Sequence, residues 1–211
     1  MADSHEQKRR QLENLLQNPE VRLAGRAGLH KTIPSGFSDL DHLLQGGWPA
    51  AALTELFVDR YGGGELRLLL PALIDRLNDN PEGLIACVAP PYLPYAPAFS
   101  GSGLEPSHLL LVKAASDSEA LWAMEQALQS GACIAVLGWV GKATLRCLRR
   151  LQLAAEQHNS WAIAFRPPQV SKQQSVAALR IRVTPVTSEA GLQLEVMKSR
   201  AGRPGRVCVR L

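Results

Sequence analysis

This sequence predicts an α/β fold: a doubly wound, mostly parallel sheet with antiparallel strands at its C-terminal end. Three observations carry that expectation. Short apolar runs alternate with helical patterns from Leu53 to Phe165. The run from Ala132 to Val140 is almost wholly apolar, as in a parallel strand covered on both faces. After Leu179 the pattern changes to alternation with a period of two, the mark of strands with one exposed face.

Taken in order, residues Ser4 to Gln17 read as a short amphipathic helix with Leu12, Leu15 and Leu16 on its apolar side, stopped by Asn18-Pro19. A basic connector, Val21 to Lys31, follows it, so residues 1–31 form an arm and residues 32–211 the core domain. Ser38 is expected to cap a short helix carrying Leu40, Leu43 and Leu44, which Gly46-Gly47 ends. The first core strand, Leu53 to Val58, enters a glycine turn. The helix behind it, Glu65 to Leu77, contains Pro71, which should kink it or break its hydrogen-bond ladder. Leu84 to Ala89 is the second strand and runs into the rigid loop PPYLPYAP; Leu109 to Val112 is the third. Ser116 and Glu119 form a capping box for a helix lined by Leu121, Met124 and Leu128, with Gly131 closing it. Strand Ala132–Val140, a helix from Lys142 to His158 and strand Trp161–Phe165 follow. Three strands end the chain, Leu179–Thr184, Leu192–Met197 and Val207–Leu211. In the first, Leu179, Ile181 and Val183 point inward and Arg180 and Arg182 outward.

Composition narrows the function. With 46% hydrophobic and 20% charged residues, the 211-residue chain is expected to be a soluble globular domain. No apolar run approaches the roughly 18 residues of a membrane span. The polar start, MADSHEQKRR, lacks the apolar core of a signal peptide, so the expected location is the cytoplasm, with no membrane partner. The four cysteines show no C-x-x-C spacing and the five histidines no cluster, so reduced thiols and neither metal nor cofactor are expected. The net charge of +4 is uneven: residues 142–211 carry 13 Lys and Arg against 3 Asp and Glu. That asymmetry points to a polyanion or an acidic protein as partner.

The most informative segment is LTELFVDRYGGGELRLLL, Leu53 to Leu70. Strand, glycine turn and helix reproduce the scaffold of a phosphate loop, G-x-x-x-x-G-K-[ST], whose amides cradle phosphates while its lysine and hydroxyl hold the terminal phosphates and Mg²⁺. With Gly63 as the last loop glycine, the lysine position is Gly64 and the hydroxyl position is Glu65, a carboxylate that would repel a triphosphate. The run Gly62-Gly63-Gly64 then reads as a tight strand-to-helix turn.

SGFSDLDHLLQGGWPAAALTELF resembles the approach to the phosphate loop in RecA-type recombinases, and SEALWAMEQALQSGACIAVLGWV is similar to the helix and strand before their second nucleotide motif. More specifically GGWP, LTEL, LLLPAL, APPYLPYAPA, LWAMEQALQSGAC and LRRLQLAA resemble the ImuA family, RecA/SulA-like proteins associated with translesion DNA synthesis, over Ser35 to the C-terminus. The resemblance implies a RecA-like core with a degenerate phosphate loop. Carried over, the water-activating acid falls near Pro91 and the Mg²⁺-associated aspartate on Gly138. Phosphoryl transfer depends on positioned charge and metal, so no useful ATPase rate is expected. The segment Arg166 to Ala177 is short and lacks the long glycine-rich stretch that threads single-stranded DNA in a recombinase.

The resemblance also implies partners: an ImuB-like Y-family polymerase homologue, an error-prone replicative-type DNA polymerase, and RecA itself. The role it implies is a non-enzymatic adaptor of SOS mutagenesis. The related SulA group supplies the alternative, a cell-division inhibitor that binds FtsZ.

Two cationic groups are the candidate contact residues. On the helix from Lys142, the side chains of Lys142, Arg146, Arg149 and Arg150 fall within an arc of about 100°, with Leu153 intruding as an apolar anchor for a partner helix. Lys198, Arg200, Arg203 and Arg206 lie around a Gly/Pro turn between the last two strands. Single-stranded DNA held without sequence specificity fits them, each neutralised phosphate adding about −0.7 to the log–log salt slope. Acidic protein surfaces fit the charge equally. Tyr92 and Tyr95 are expected to plug the empty nucleotide cleft together with the loop prolines, and Trp48 to lie in the core.

Overall fold

A computed structural model of the chain describes residues 31–93, 96–186 and 191–211. The predicted N-terminal helix, Tyr95 and residues 187–190, between the first two of the three C-terminal strands, lie outside the described residues. Among the described residues, no helix is long and apolar enough to cross a membrane.

Eight strands form one sheet in the order β10-β9-β8-β3-β7-β6-β4-β5. They are β3 (Leu53–Val58), β4 (Leu84–Val88), β5 (Leu109–Val112), β6 (Cys133–Trp139), β7 (Trp161–Arg166), β8 (Leu179–Val186), β9 (Gly191–Ser199) and β10 (Gly205–Arg210). From β5 to β8 every pairing is parallel; β8, β9 and β10 pair antiparallel. A separate antiparallel pair, β1 (Thr32–Ile33) and β2 (Trp48–Pro49), precedes the sheet in the chain. Short helices α1 (Ser38–Leu44) and α3 (Ala96–Gly101) and the long α2 (Glu65–Asp79) join a core on one face. Helices α4 (Asp117–Gln129) and α5 (Leu145–Gln157) cover the other. This is a mixed α/β architecture with a mostly parallel sheet flanked by helices, as the alternation of patterns predicts.

Burying β3, β6 and β7 on both faces requires continuous apolar sequence, and every residue of these strands is buried. Trp48 belongs to the core as expected, its ring 5.5 Å from that of Trp161. The Ser116–Glu119 cap is present: the Glu119 amide donates to Ser116 Oγ at 3.2 Å, and the Glu119 carboxylate accepts from the Ala115 amide at 2.8 Å.

Four local expectations are corrected. Ser38 is the first helical residue of α1 and caps nothing; the entry is tied instead by Ser35, whose amide donates to Asp41 Oδ1 at 2.8 Å. Pro71 does not interrupt α2, which runs on to Asp79. Gly36 gives its ring room, since a Cβ there would stand 2.6 Å from Pro71 Cβ. Lys142 precedes α5, which starts at Leu145 behind the Thr144 cap, because Asp117 at the start of α4 accepts the Gly141 and Lys142 amides at 2.8 and 2.9 Å. Arg180 does not point to solvent. It is buried beside Glu55.

Candidate functional site: a cleft at the carboxyl ends of the parallel strands

In open α/β sheets ligands bind beyond the carboxyl ends of the strands. Here that edge holds a cleft of about 310 Å³, walled by Leu66 and Leu70 of α2, Pro90 to Leu93 after β4, Phe99 of α3 and Trp139 at the end of β6. Its wall toward β3 is the glycine turn.

The turn is satisfied from within. Gly62 and Gly64 both adopt positive φ, 87° and 107°, and Gly64 is the residue that leads into α2. The Gly62 amide donates to Glu65 Oε1 at 2.7 Å, so a carboxylate of the chain occupies an amide that would face an anion in a phosphate loop. Glu65 is buried, and its Oε2 has no hydrogen-bond partner among the described residues. Burial first, then the carboxylates of Glu65 and Asp117, pushes the Tyr61 hydroxyl above its ordinary value. The glycines are also required by packing. A Cβ on Gly64 would stand 2.3 Å from Leu211 Cδ1, and one on Gly63 3.1 Å from Pro185 Cγ. The Leu211 side chain thus covers Gly64.

The other predicted positions around the cleft are placed as follows. Pro91 lines it. Gly138 faces the opposite way, into α4, where a Cβ would meet Met124 Sδ at 2.1 Å; the β6 residue that turns toward the cleft is Trp139, stacked on Phe165 with ring centroids 4.7 Å apart. Tyr92 does not plug the space: it lines the cleft while remaining 70% exposed, and Leu93 beside it is 77% exposed. Among the described residues, no group of three or more His, Cys, Asp and Glu could hold a metal ion.

No family model matches the chain. A cell division inhibitor SulA from Edwardsiella piscicida is 32% identical over 115 residues, 53% of this chain and 68% of that protein. The cell division inhibitor SulA of Photorhabdus laumondii is 33% identical over 114 residues, 54% and 63% of the two chains. The chain belongs to the ImuA/SulA-like family. Protein ImuA from Caulobacter vibrioides is 27% identical over a longer span, 179 residues, 76% of this chain and 72% of that one.

The cations of this ImuA/SulA-like protein fall into separate settings. Arg146 and Arg149 stand exposed on α5, without an ion pair among the described residues, and Arg150 beside them pairs with Glu125 of α4. Arg200 pairs with Glu156 at 2.9 Å and Arg206 with Glu195 at 2.9 Å, so part of the second cluster is neutralised. Arg203 is exposed, its amide 3.4 Å from the Leu43 carbonyl. Lys198 donates to the Ser175 carbonyl at 3.1 Å. Burial, followed by repulsion from Arg180 and Arg200, holds its ammonium below the usual lysine range.

Sequence reasoning missed the charge network under the 167–177 segment of this family member. Glu55 on β3 is fully buried, with Arg166 Nη1 at 2.6 Å and Arg180 Nε at 2.7 Å. The Arg180 guanidinium lies 5.0 Å from the Phe57 ring centre. The available signal was Glu55 itself, a lone carboxylate inside the apolar strand LTELFV, which demands a buried cationic partner.

Proposed function

We propose that this protein is a non-enzymatic adaptor of the DNA-damage response, acting in the cytoplasm in mutagenic translesion synthesis. The proposed scaffold is a RecA-like core with a degenerate phosphate loop. It assembles an ImuB-type polymerase homologue with an error-prone replicative-type polymerase, and it engages RecA. The observation that carries the reading is the Gly62–Glu65 hydrogen bond. A turn whose Gly62 amide is taken by the chain's own carboxylate, and whose Gly64 is roofed by Leu211, offers poor purchase for a triphosphate. The apolar cleft beside it, with an exposed tyrosine and leucine at its lip, is better suited to a protein side chain than to phosphates. The ImuA match over 76% of this chain supports the translesion setting.

The test is co-purification of the full chain with an ImuB-type protein and the error-prone polymerase at 50 and 300 mM salt, with and without single-stranded DNA. A complex that forms without ATP supports the adaptor. Magnesium-dependent hydrolysis of ATP by the pure protein, or assembly that strictly needs ATP, overturns it.

The two SulA relatives at 32% and 33% identity favour a second reading, inhibition of cell division by binding the tubulin-like FtsZ. Division arrest on overexpression, together with direct FtsZ binding, would put it first.

A further inference from the structure

Helices α4 and α5 lie side by side and parallel, in a register the ion pairs reveal. Asp117 holds the amide of Lys142, and Glu125 pairs with Arg150, each a separation of 25 residues. In that register Trp122 stands level with Cys147. Trp122 is 60% exposed, whereas the other three tryptophans are buried. Leu153, 56% exposed, lies one turn beyond Arg149 and Arg150 on α5. The two residues are therefore about six residues apart along the helix axis, roughly 9 Å at 1.5 Å per residue, on helices whose axes lie about 8–10 Å apart sideways. A ligand helix crossing the pair obliquely would meet both.

We propose that the α4–α5 face docks an acidic amphipathic helix of a partner protein, with Trp122 and Leu153 receiving its apolar ridge and Arg146 and Arg149 its flanking carboxylates. Charge complementarity decides the occupant. Arg146 and Arg149 stand exposed without an ion pair among the described residues, so they are available to an anionic partner. Nucleic acid fits less well. Glu125 sits within the seam and already claims Arg150, an aliphatic Leu153 does not stack on bases, and one tryptophan is no series of platforms. Apolar anchors flanked by two cations that make no ion pair among the described residues match a leucine-bearing acidic helix. The inference rests on the adaptor reading only in assigning the face to a partner protein.

The experiment titrates the full chain with a fluorescein-labelled twenty-residue helical peptide carrying leucines at i, i+3, i+7 and glutamates on both flanks. Its lysine-flanked counterpart and a twenty-nucleotide oligo-dT serve as competitors. Because Trp122 is the exposed tryptophan, iodide quenching reports occupancy of the face. The expected result is saturable binding of the acidic peptide that shields Trp122 from iodide. Trp122→Ala, Leu153→Ser and the Arg146→Glu, Arg149→Glu double substitution should each weaken it at least tenfold. Equal binding of the lysine-flanked peptide, no binding at all, or shielding of Trp122 by oligo-dT alone would each overturn the proposal. Loss of peptide binding with co-purification intact sinks only this inference, and the reverse pattern sinks only the adaptor reading.

Discussion

The amide of Gly62 donates a 2.7 Å hydrogen bond to the carboxylate of Glu65, three residues on, and Leu211 closes over Gly64 between them. Two substitutions should therefore not create a phosphate loop. Gly64→Lys with Glu65→Thr places a side chain at φ 107°, costing about 1–2 kcal/mol for the left-handed backbone, and drives it into Leu211. The expected outcome is a lowered melting temperature and no heat of MgATP binding in calorimetry. Adding Leu211→Ala should recover part of the stability, because only the steric component is relieved.

Glu55→Gln should be far more damaging than a surface change. It leaves the buried guanidinium of Arg166 and the nearly buried one of Arg180 without their counter-ion. Removing one member of a buried ionic group costs about 3–5 kcal/mol. Urea unfolding should show the midpoint falling with an unchanged slope. Replacing all three residues by methionine should be much milder, since the desolvation of all three charges is then removed together.

Gly138→Ala probes the contact between β6 and α4. The added methyl would meet Met124 Sδ at 2.1 Å, so an overpacking cost of about 1–3 kcal/mol is expected. Met124→Ala also destabilises, through a cavity. The double substitution should cost less than the sum of the two, a coupling measurable in a thermodynamic cycle.

The cysteines should separate by reactivity and by pH. Cys208 is exposed and should alkylate first in the native protein; Cys87 should label only after unfolding. Burial pushes the Cys87 thiol from 9.0 up to about 12. Between those values the unfolded chain has lost a proton that the folded chain keeps. Stability from this group is thus complete below pH 9 and declines toward pH 12, by about 1.4 kcal/mol per pH unit. Cys87→Ala should flatten that part of the alkaline stability profile, followed by urea midpoints from pH 8.5 to 10.5.

Much of the architecture was readable from local pattern. Leu53–Val58 and Leu109–Val112 have the bounds their apolar runs predict, and Ser116 and Glu119 cap their helix as the four-residue motif requires. The glycine turn lies where the strand and helix patterns put it, between Val58 and Glu65. What local pattern misjudged are groups whose partners lie elsewhere in the chain. The entry to α1 is tied by the Ser35 amide donating to Asp41 rather than by a Ser38 cap, and Lys142 precedes its helix with its amide held by Asp117.

Alternation assigns Arg180 and Leu179 to opposite faces of a strand, but it does not say whether the second face meets water. Only the fold, by laying β8 beside β3, brings Arg180 to Glu55 across 125 residues of sequence and makes that face dry. Trp122 and Arg146 belong to different helices, and neither helical pattern alone shows that the two helices pack side by side. Periodicity is set by the backbone a few residues at a time and is therefore written in the sequence. Burial of a charge or assembly of a surface depends on which distant element packs there, and that is decided when the chain closes on itself.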